Sequence, residues 1–553
     1  MSDPRAEPSA VQPPAAGSLP VRPLALWALL VPVAYAPALL VGSGFDVRMG
    51  AGVGLASLVA LLAVRLLAGG RSLDRLAARL ERASPVLLAA ACGLFAATTF
   101  ARSAAALARF DEFAIAGLFG QSFWTLLHGH AFANSQESVN GTLASHFGVH
   151  FSPTLLVLTP FYALWPSALT LMAGQAVALA LAPVPLYAWL RPRVGGAAAL
   201  PLSLALLALP IFVRAGSGDF HDACFLPAPC LAAVWALEAR RRGWLALFVL
   251  LALGVREDAA LAVAMLGLYA LVRGHGAMTA GALVALGLGW LVLVTRFVIP
   301  AFGSPGIIAD PRQFFVAAFG HWGATPLDAV RGILTQPAGV ARWLSSRELA
   351  QYAYSLVLPL LLVPPFLDAA LLMALPGLAI NLLSRFPFMH SAAEPYSYVP
   401  LTFLAFATAG LATRVAARAP AERRLGAGLA AGIIVLAGAL PAALAPTGVP
   451  AQARMPAPVA HQVIRAIPRE APVYAPIALY PAMCNRETFD GWSNTVGVDR
   501  NAAFRARYAW IVLWPEADSP GAPRDAAMAE SLAADPGFVA REGFAPLQVY
   551  ERR

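Results

Sequence analysis

The chain has 553 residues, of which 59% are apolar and only 12% charged, against about 25% charged in ordinary soluble domains. With a mean hydropathy of +0.66, it carries more apolar surface than a water-soluble globule can bury, which excludes a soluble multidomain enzyme, a disordered chain, a coiled coil and a disulfide scaffold. The formal charge is +9 and all 39 basic residues are arginine; in a membrane chain this balance points to arginine-rich cytoplasmic loops rather than to nucleic acid.

Residues 1–23 are rich in Pro, Ala and Ser and read as a disordered cytoplasmic N-terminus without a cleavable signal. A spanning helix needs ~20 apolar residues. Such runs occur at about 24–41, 50–68 and 84–101, with the five-arginine stretch Arg65 to Arg82 read as a cytoplasmic loop between the second and third. Further spans are expected at about 168–190, 197–214, 223–239, 244–255, 259–272, 277–299, 350–366, 368–383, 397–413 and 425–446. The segment 151–165 is short and carries two prolines, so it reads as an interfacial or re-entrant helix. The pair 244–255 and 259–272 is also short and reads equally as a broken hairpin. The total is about thirteen spans over 24–446. This count puts the clusters Arg191/Arg193, Arg240–Arg242, Arg273 and Arg414–Arg424 on the cytoplasmic side. The N-terminus is then cytoplasmic and the C-terminus periplasmic, in a bacterial inner membrane.

The tail changes character. From about Thr447 polar content rises, and VYAPIALYPA and YAWIVLWP read as short buried strands beside a helix near 525–534. Residues 456–553 therefore read as a small extramembrane α/β domain. The four cysteines show no CxxC and no zinc spacing and read as small apolar side chains. No Walker motif, GxGxxG or GxSxG elbow occurs, which argues against nucleotide-driven pumping and hydrolase chemistry.

Ionisable groups in lipid are expensive and usually face a cavity or a partner. The topology places most of them on the outer face. The first outer loop, 102–167, holds Asp111, Glu112, His146 and His150, and the next turn holds Arg214, Asp219, His221 and Asp222. Arg256, Glu257 and Asp258 follow, then Asp310, Arg312, His321 and Trp322, then Arg385, His390, Glu394, Tyr396 and Tyr398. Each has a plainer reading: Asp111-Glu112 suits a helix N-terminus, Asp219 and His221 suit a hydrogen-bonded span end, and Arg256 to Asp258 suit a self-neutralising cluster. His146 and His150 have metal-ligand spacing, but Gly148 and Pro153 oppose a regular helix there.

The runs FDEFAIAGLFGQSFWTLLHG, SHFGVHFSPTLLVLTPFYALW, GDFHDACFLPAPCLAAVWALEARR, GVREDAALAVAMLGLYALV and LDAALLMALPGLAINLLSRFPFMHSAAEPYSYVPL occur in order. Together they resemble a bacterial family of predicted polytopic membrane proteins of unknown function, grouped with the GT-C glycosyltransferases. The resemblance covers about 95–550. It implies a GT-C-like α-helical membrane domain and a polyprenyl-phosphate-linked sugar donor. It also implies an acidic catalytic motif in the first outer loop, where Asp111 and Glu112 stand. Two extra spans precede that loop, and the pair reads Asp-Glu rather than Asp-x-Asp, which leaves open the need for a divalent cation, Mg or Mn.

Such a transfer needs a carboxylate to take the acceptor proton and cationic partners for the departing phosphate. Asp111 and Glu112 are expected in the first role. His146, His150, Asp219, His221, Arg256, Glu257, Asp258, Arg385, His390, Glu394 and Tyr396 are expected to bind substrate. The expected partners are the bilayer, the sugar donor and an unidentified acceptor. The competing reading is a transporter or lipid-handling protein without catalysis. Transporters tend to place ionisable groups near the bilayer midplane, whereas here they sit at one end of the spans.

Overall fold

A computed structural model of the chain describes residues 71–111, 113–137, 142–303, 311–357, 368–392, 394–417, 455–491, 502–515 and 522–553. The expected spans at 24–41, 50–68 and 425–446, part of 350–366, and Glu112 lie outside these. The described chain is mainly helical. Helix α1 (Arg71–Ala108) is followed by α2 (Ala114–Leu127), a small antiparallel hairpin β1 (Ala133–Asn134) and β2 (Ala144–Ser145), and a short broken helix over Pro153–Leu164. Then come α3 (Ala168–Ala180), α4 (Pro183–Val194), α5 (Gly196–Leu207), α6 (Pro210–Ser217), α7 (Pro227–Glu238), α8 (Arg242–Leu253), α9 (Ala259–Val272) and α10 (Ala277–Leu293). Amphipathic helices α11 (Pro311–Phe319), α12 (Pro326–Thr335), α13 (Pro337–Leu344) and α14 (Arg347–Val357) lead to α15 (Leu371–Leu383) and α16 (Tyr398–Ala417).

Among the described residues, three helices are long and apolar enough to cross a bilayer: Ala77–Ala108, Ala168–Val194 and Ala277–Phe302. A fourth is formed if α5 and α6, bent by 58° at Leu209–Pro210, count as one span. The expected tally of thirteen is therefore not what the described helices show. Proline explains part of the shortfall: a helix interior rejects it, but a first turn accepts it. Pro210 starts α6 and marks the bend that divides the 196–217 run, whereas Ala168–Val194 passes Pro183 as one span. The expected loop before the third span is also corrected. Residues from Arg71 onward belong to α1, which continues through Pro85 to Ala108. Leu, Ala and Arg are strong helix formers, and nothing in SLDRLAARLER stops the helix.

One apolar core gathers α4, α5, α7, α9, α15 and α16 around Leu190, Leu231, Ala260 and Phe406. A second joins the outer loop to the tail. The tail forms a five-stranded sheet in the order β4-β3-β5-β7-β6, with β3 (Val473–Tyr474), β4 (Phe489–Asp490), β5 (Trp510–Leu513), β6 (Phe538–Arg541) and β7 (Gln548–Arg552). Strand β3 runs parallel to β4 and β5, and β7 is antiparallel to β5 and β6. Helices α17 (Ala457–Ala466) and α18 (Ala522–Ala533) accompany it. Only Val473–Tyr474 of VYAPIALYPA is strand, because Pro476 and Pro481 cannot donate to a ladder and the chain turns helical there.

The sheet is packed into the outer loop rather than set apart from it. Tyr480, Met483, Cys484 and Phe489 share a core with Phe119, Phe123, Phe132 and Tyr162. Glycine makes the approach possible: a Cβ on Gly117 would lie 2.5 Å from the Tyr480 ring, and one on Gly120 would lie 2.6 Å from Cys484 Sγ. Polar bonds reinforce the seam. Gln121 Nε2 donates to the carbonyls of Arg486 and Glu487 at 2.9 and 3.0 Å, and Tyr162 OH donates to Asn485 Oδ1 at 2.7 Å.

Candidate functional site

The ionisable residues of four inter-helix turns meet at one end of the bundle. Asp222 opens the turn before α7, Arg256 to Asp258 connect α8 to α9, His150 precedes the Pro153 helix, and Glu394 and Tyr396 precede α16. Arg256 is the hub. Its Nη1 lies 3.5 Å from Asp222 Oδ1 and its Nε donates to Asp258 Oδ1 at 3.2 Å. Burial alone would lower the Arg256 pKa, but Asp258, Asp222 and Glu257 raise it, so the guanidinium stays charged. Glu257 turns the other way and accepts from His150 Nδ1 at 2.8 Å. Burial works to raise the Glu257 carboxyl, yet His150 and Arg256 hold it below the usual range. Burial likewise disfavours the His150 cation, but Glu257 raises its pKa above the ordinary value.

Arg256, Asp258 and Tyr396 are the polar lining of a small cleft between α9, α15 and α16. Its other walls are apolar and include Leu261, Met373, Ile380 and Val399. Asp222 Oδ1 accepts the Ala223 backbone N–H at 2.8 Å, while its Oδ2 is buried and has no hydrogen-bond partner. His221, next to it, is pushed by burial to a pKa of about 4, with Asp222 opposing the shift and Arg256 adding to it.

A second layer lies behind His150. His146 Nδ1 is 2.9 Å from Glu137 Oε1, and Glu137 Oε2 accepts from Asn134 Nδ2 at 2.7 Å. Burial opposes ionisation of Glu137, but His146 lowers its pKa overall. His146 Nε2 is buried without a partner, and the His146 and His150 rings are 6.0 Å apart. The two histidines are one turn apart, with His150 N donating to the His146 carbonyl. Each turns a ring nitrogen to a different glutamate. Among the described residues no group of three or more His, Cys, Asp or Glu side chains is placed to hold a metal ion. The divalent-cation expectation thus finds no fitting donor set there.

Asp219 is held apart from this cluster. Its two oxygens accept the N–H groups of Ile115 and Ala116 at 2.8 and 2.9 Å, and Oδ1 also accepts from Phe220 N at 2.7 Å. It therefore caps α2 from a distant turn, a structural rather than a substrate-facing position. Burial pushes its carboxyl up to about 7, against these three donors. Asp111 lies just before α2, a quarter exposed, and accepts from Arg109 Nη2 at 3.0 Å. His390 and Arg385 form a separate group. His390 Nδ1 is 2.6 Å from Glu348 Oε1 and its Nε2 is 3.0 Å from the Ser384 carbonyl. Arg385 is exposed and its backbone N–H donates to Ala318. Glu394 stands at the start of the turn before α16 without a side-chain capping bond, and Tyr396 packs 5.5 Å from the Phe388 ring.

The structure thus brings together His150, His221, Arg256, Glu257, Asp258 and Tyr396 of the expected residues, and adds Asp222, Glu137 and Asn134. Asp222 stood beside His221 in the sequence, and its only signal was that adjacency. Glu137 carried no signal, because it stands nine positions before His146 with no helical or strand period linking the two. At the opposite end, α7 ends in Glu238, which accepts from Arg193 and Arg273 at 3.0 Å and from Tyr269 OH at 2.8 Å. The arginine-rich end is therefore organised by a buried carboxylate.

The fold and this end cluster define a helical membrane protein with a charged cleft and a small extramembrane sheet. The chain belongs to the DUF2079 family of predicted membrane proteins, whose model matches residues 115–535. No curated protein matches its sequence. Among solved structures, the chain is similar to ArnT from Cupriavidus metallidurans bound to undecaprenyl phosphate, with 14% identity, coverage of 83% of this chain and 97% of that one, and a TM-score of 0.45. The apo form of the same protein gives 14% identity, coverage of 79% and 92%, and a TM-score of 0.44.

Proposed function

We propose that the protein is a GT-C-type membrane glycosyltransferase that moves a sugar from a polyprenyl-phosphate carrier to an acceptor at the outer face of a bacterial inner membrane. The observation that carries this reading is the cleft at Arg256. A guanidinium, a carboxylate and a tyrosine line a small cleft whose other walls are apolar side chains of three helices, and a second carboxylate, Asp222, lies beside the guanidinium. A polyprenyl-phosphate sugar has matching halves: an anionic head for Arg256 and an isoprenoid tail for the walls of α9, α15 and α16. The resemblance of the sequence to the GT-C-grouped family supports the same reading. Placement of the charged groups at helix ends weighs against the transporter alternative.

In this reaction the acceptor hydroxyl gives its proton to a carboxylate and bonds to the sugar C1. The C1–O bond to phosphate breaks, and its electron pair leaves with the polyprenyl phosphate, whose charge Arg256 and the His150 cation offset. The proton goes in this reading to Asp111, with Glu112 in support, because the family resemblance implies an acidic motif in the first outer loop. A second reading gives the proton to Asp222, favoured by its buried, unpartnered Oδ2 beside Arg256.

The test is binding of polyprenyl phosphate, and sugar transfer from a panel of polyprenyl-phosphate sugars, by purified protein in nanodiscs. Arg256→Gln should weaken lipid binding by about tenfold to a hundredfold, the worth of a charge-assisted hydrogen bond, and Arg256→Lys should weaken it less. Thermal unfolding checks that each variant is folded. Unchanged lipid affinity in folded Arg256→Gln, or no transfer by wild type from any donor, would overturn the proposal.

A further inference from the structure

The segment between α10 and α15 offers an apolar face that none of the described residues covers. Helix α12 turns Ala329 and Gly332 inward, so tightly that a Cβ on Gly332 would lie 2.0 Å from the Trp322 carbonyl oxygen. Its opposite side exposes Leu327 by 78%, Val330 by 53% and Leu334 by 75%. These positions are spaced three and four apart and form one stripe. Leu344 on α13 and Val316 on α11 are exposed as well. Two exposed guanidiniums, Arg331 and Arg342, edge the stripe, and neither side chain has a partner among the described residues.

The segment is fastened to the bundle from below. Trp322 Nε1 donates to the Leu383 carbonyl at 2.9 Å and Trp343 Nε1 to the Leu382 carbonyl at 2.8 Å, using carbonyls that the end of α15 leaves open. Arg385 N–H donates to Ala318 at 2.8 Å. In the chain, the segment follows directly on Ala277–Phe302, a spanning-length helix that exposes Leu288, Val292 and Phe297. Two exposed apolar faces, that of the spanning-length helix and that of α12, thus occur in succession along the chain.

We infer that α12 and α13 lie in the plane of the membrane interface, with Leu327, Val330, Leu334 and Leu344 in the acyl boundary and Arg331 and Arg342 on the headgroups of anionic phospholipids. A helix with an apolar stripe and flanking arginines takes that depth in a bilayer. Each arginine near an anionic surface contributes about 1 kcal/mol, or about fivefold in affinity. Because α15 also walls the Arg256 cleft, the bilayer then bears on one side of the cleft through Trp322 and Trp343.

The experiment uses full-length protein in nanodiscs, with a nitroxide attached at Leu327→Cys, Leu334→Cys or, as the water-facing reference, Asp328→Cys. The four native cysteines are buried and leave the new thiol to react. The labels at 327 and 334 should be reached by oxygen and shielded from a water-soluble nickel complex, and the label at 328 should show the reverse. Phosphatidylglycerol retained over phosphatidylcholine in native mass spectrometry should fall by about an order of magnitude in an Arg331→Gln, Arg342→Gln double variant. Water-like accessibility at 327 and 334 overturns the inference. So does spin–spin broadening between labels, which would assign the stripe to a second copy of the chain. An unchanged lipid preference in the double variant overturns the headgroup contact.

Discussion

Asp219 and Ile115 are bonded across 104 residues of sequence: the carboxylate Oδ2 accepts the amide of Ile115 at 2.8 Å, and Oδ1 takes the neighbouring Ala116 amide. Carboxyl oxygens thus accept where the first amides of α2 lack helical partners, and these donors work against the burial that raises the Asp219 pKa. The consequence is positional. The loop that carries Asp111 is held to the turn that carries His221 and Asp222. Asp219→Ala should cost about 1–3 kcal/mol by stranding two buried amides, and Asp219→Asn less. Hydrogen exchange of the Ile115 and Ala116 amides should accelerate in the alanine variant. Wild-type protection there would show that α2 is held by its apolar face alone.

The two carboxylates proposed for the acceptor proton can be separated. Removing a general base lowers turnover by roughly 10²–10⁴. If Asp111 is the base, Asp111→Asn shows that loss with little change in stability, since its side chain is partly exposed and its ion pair with Arg109 is solvent-screened. If Asp222 is the base, Asp222→Asn shows the loss in kcat with donor KM kept, because the amide oxygen still accepts Ala223 N–H and faces Arg256. A rise in donor KM in Asp222→Asn would instead mark it as a residue that positions Arg256.

His221 predicts a pH dependence of stability. Its folded pKa of about 4 lies below the unfolded value near 6.5. Between these values the unfolded chain binds the proton and the folded chain does not, so stability is complete above about pH 6.5 and drains as pH falls toward 4. Unfolding temperature should therefore drop on acidification from pH 7 to 5, and His221→Gln should flatten that drop. An identical slope in the variant would remove His221 as its cause.

Orientation follows from the two charged ends. Reporter fusions after Arg82 and Arg242 should report cytoplasm, and fusions after Gly129, Gly303 and Arg553 the outer compartment. A cytoplasmic reporter at Gly129 would place the Arg256 cleft on the wrong side for an outer-face transfer.

Composition and periodicity decide certain properties because they are summed along the chain. Apolar excess commits the protein to lipid, and the helices at 168–194, 227–238, 259–272, 277–302 and 398–417 stand close to where the apolar runs placed them. The gathering of charged turns at one end was also legible, since antiparallel helices alternate their ends. Pairings were not. Asp222 with Arg256, Glu137 with His146 and Asp219 with Ile115 depend on which turns pack side by side, and no local pattern encodes that. The same holds for the seam between α2 and the tail. Gly117 and Gly120 read as ordinary helix residues until Tyr480 and Cys484 occupy the space their missing side chains leave. Sequence by itself determined the solvent, the main helices and the chemistry available at their ends. Tertiary packing decided which carboxylate met which cation, because a buried charge is tolerated only where the fold supplies its partner.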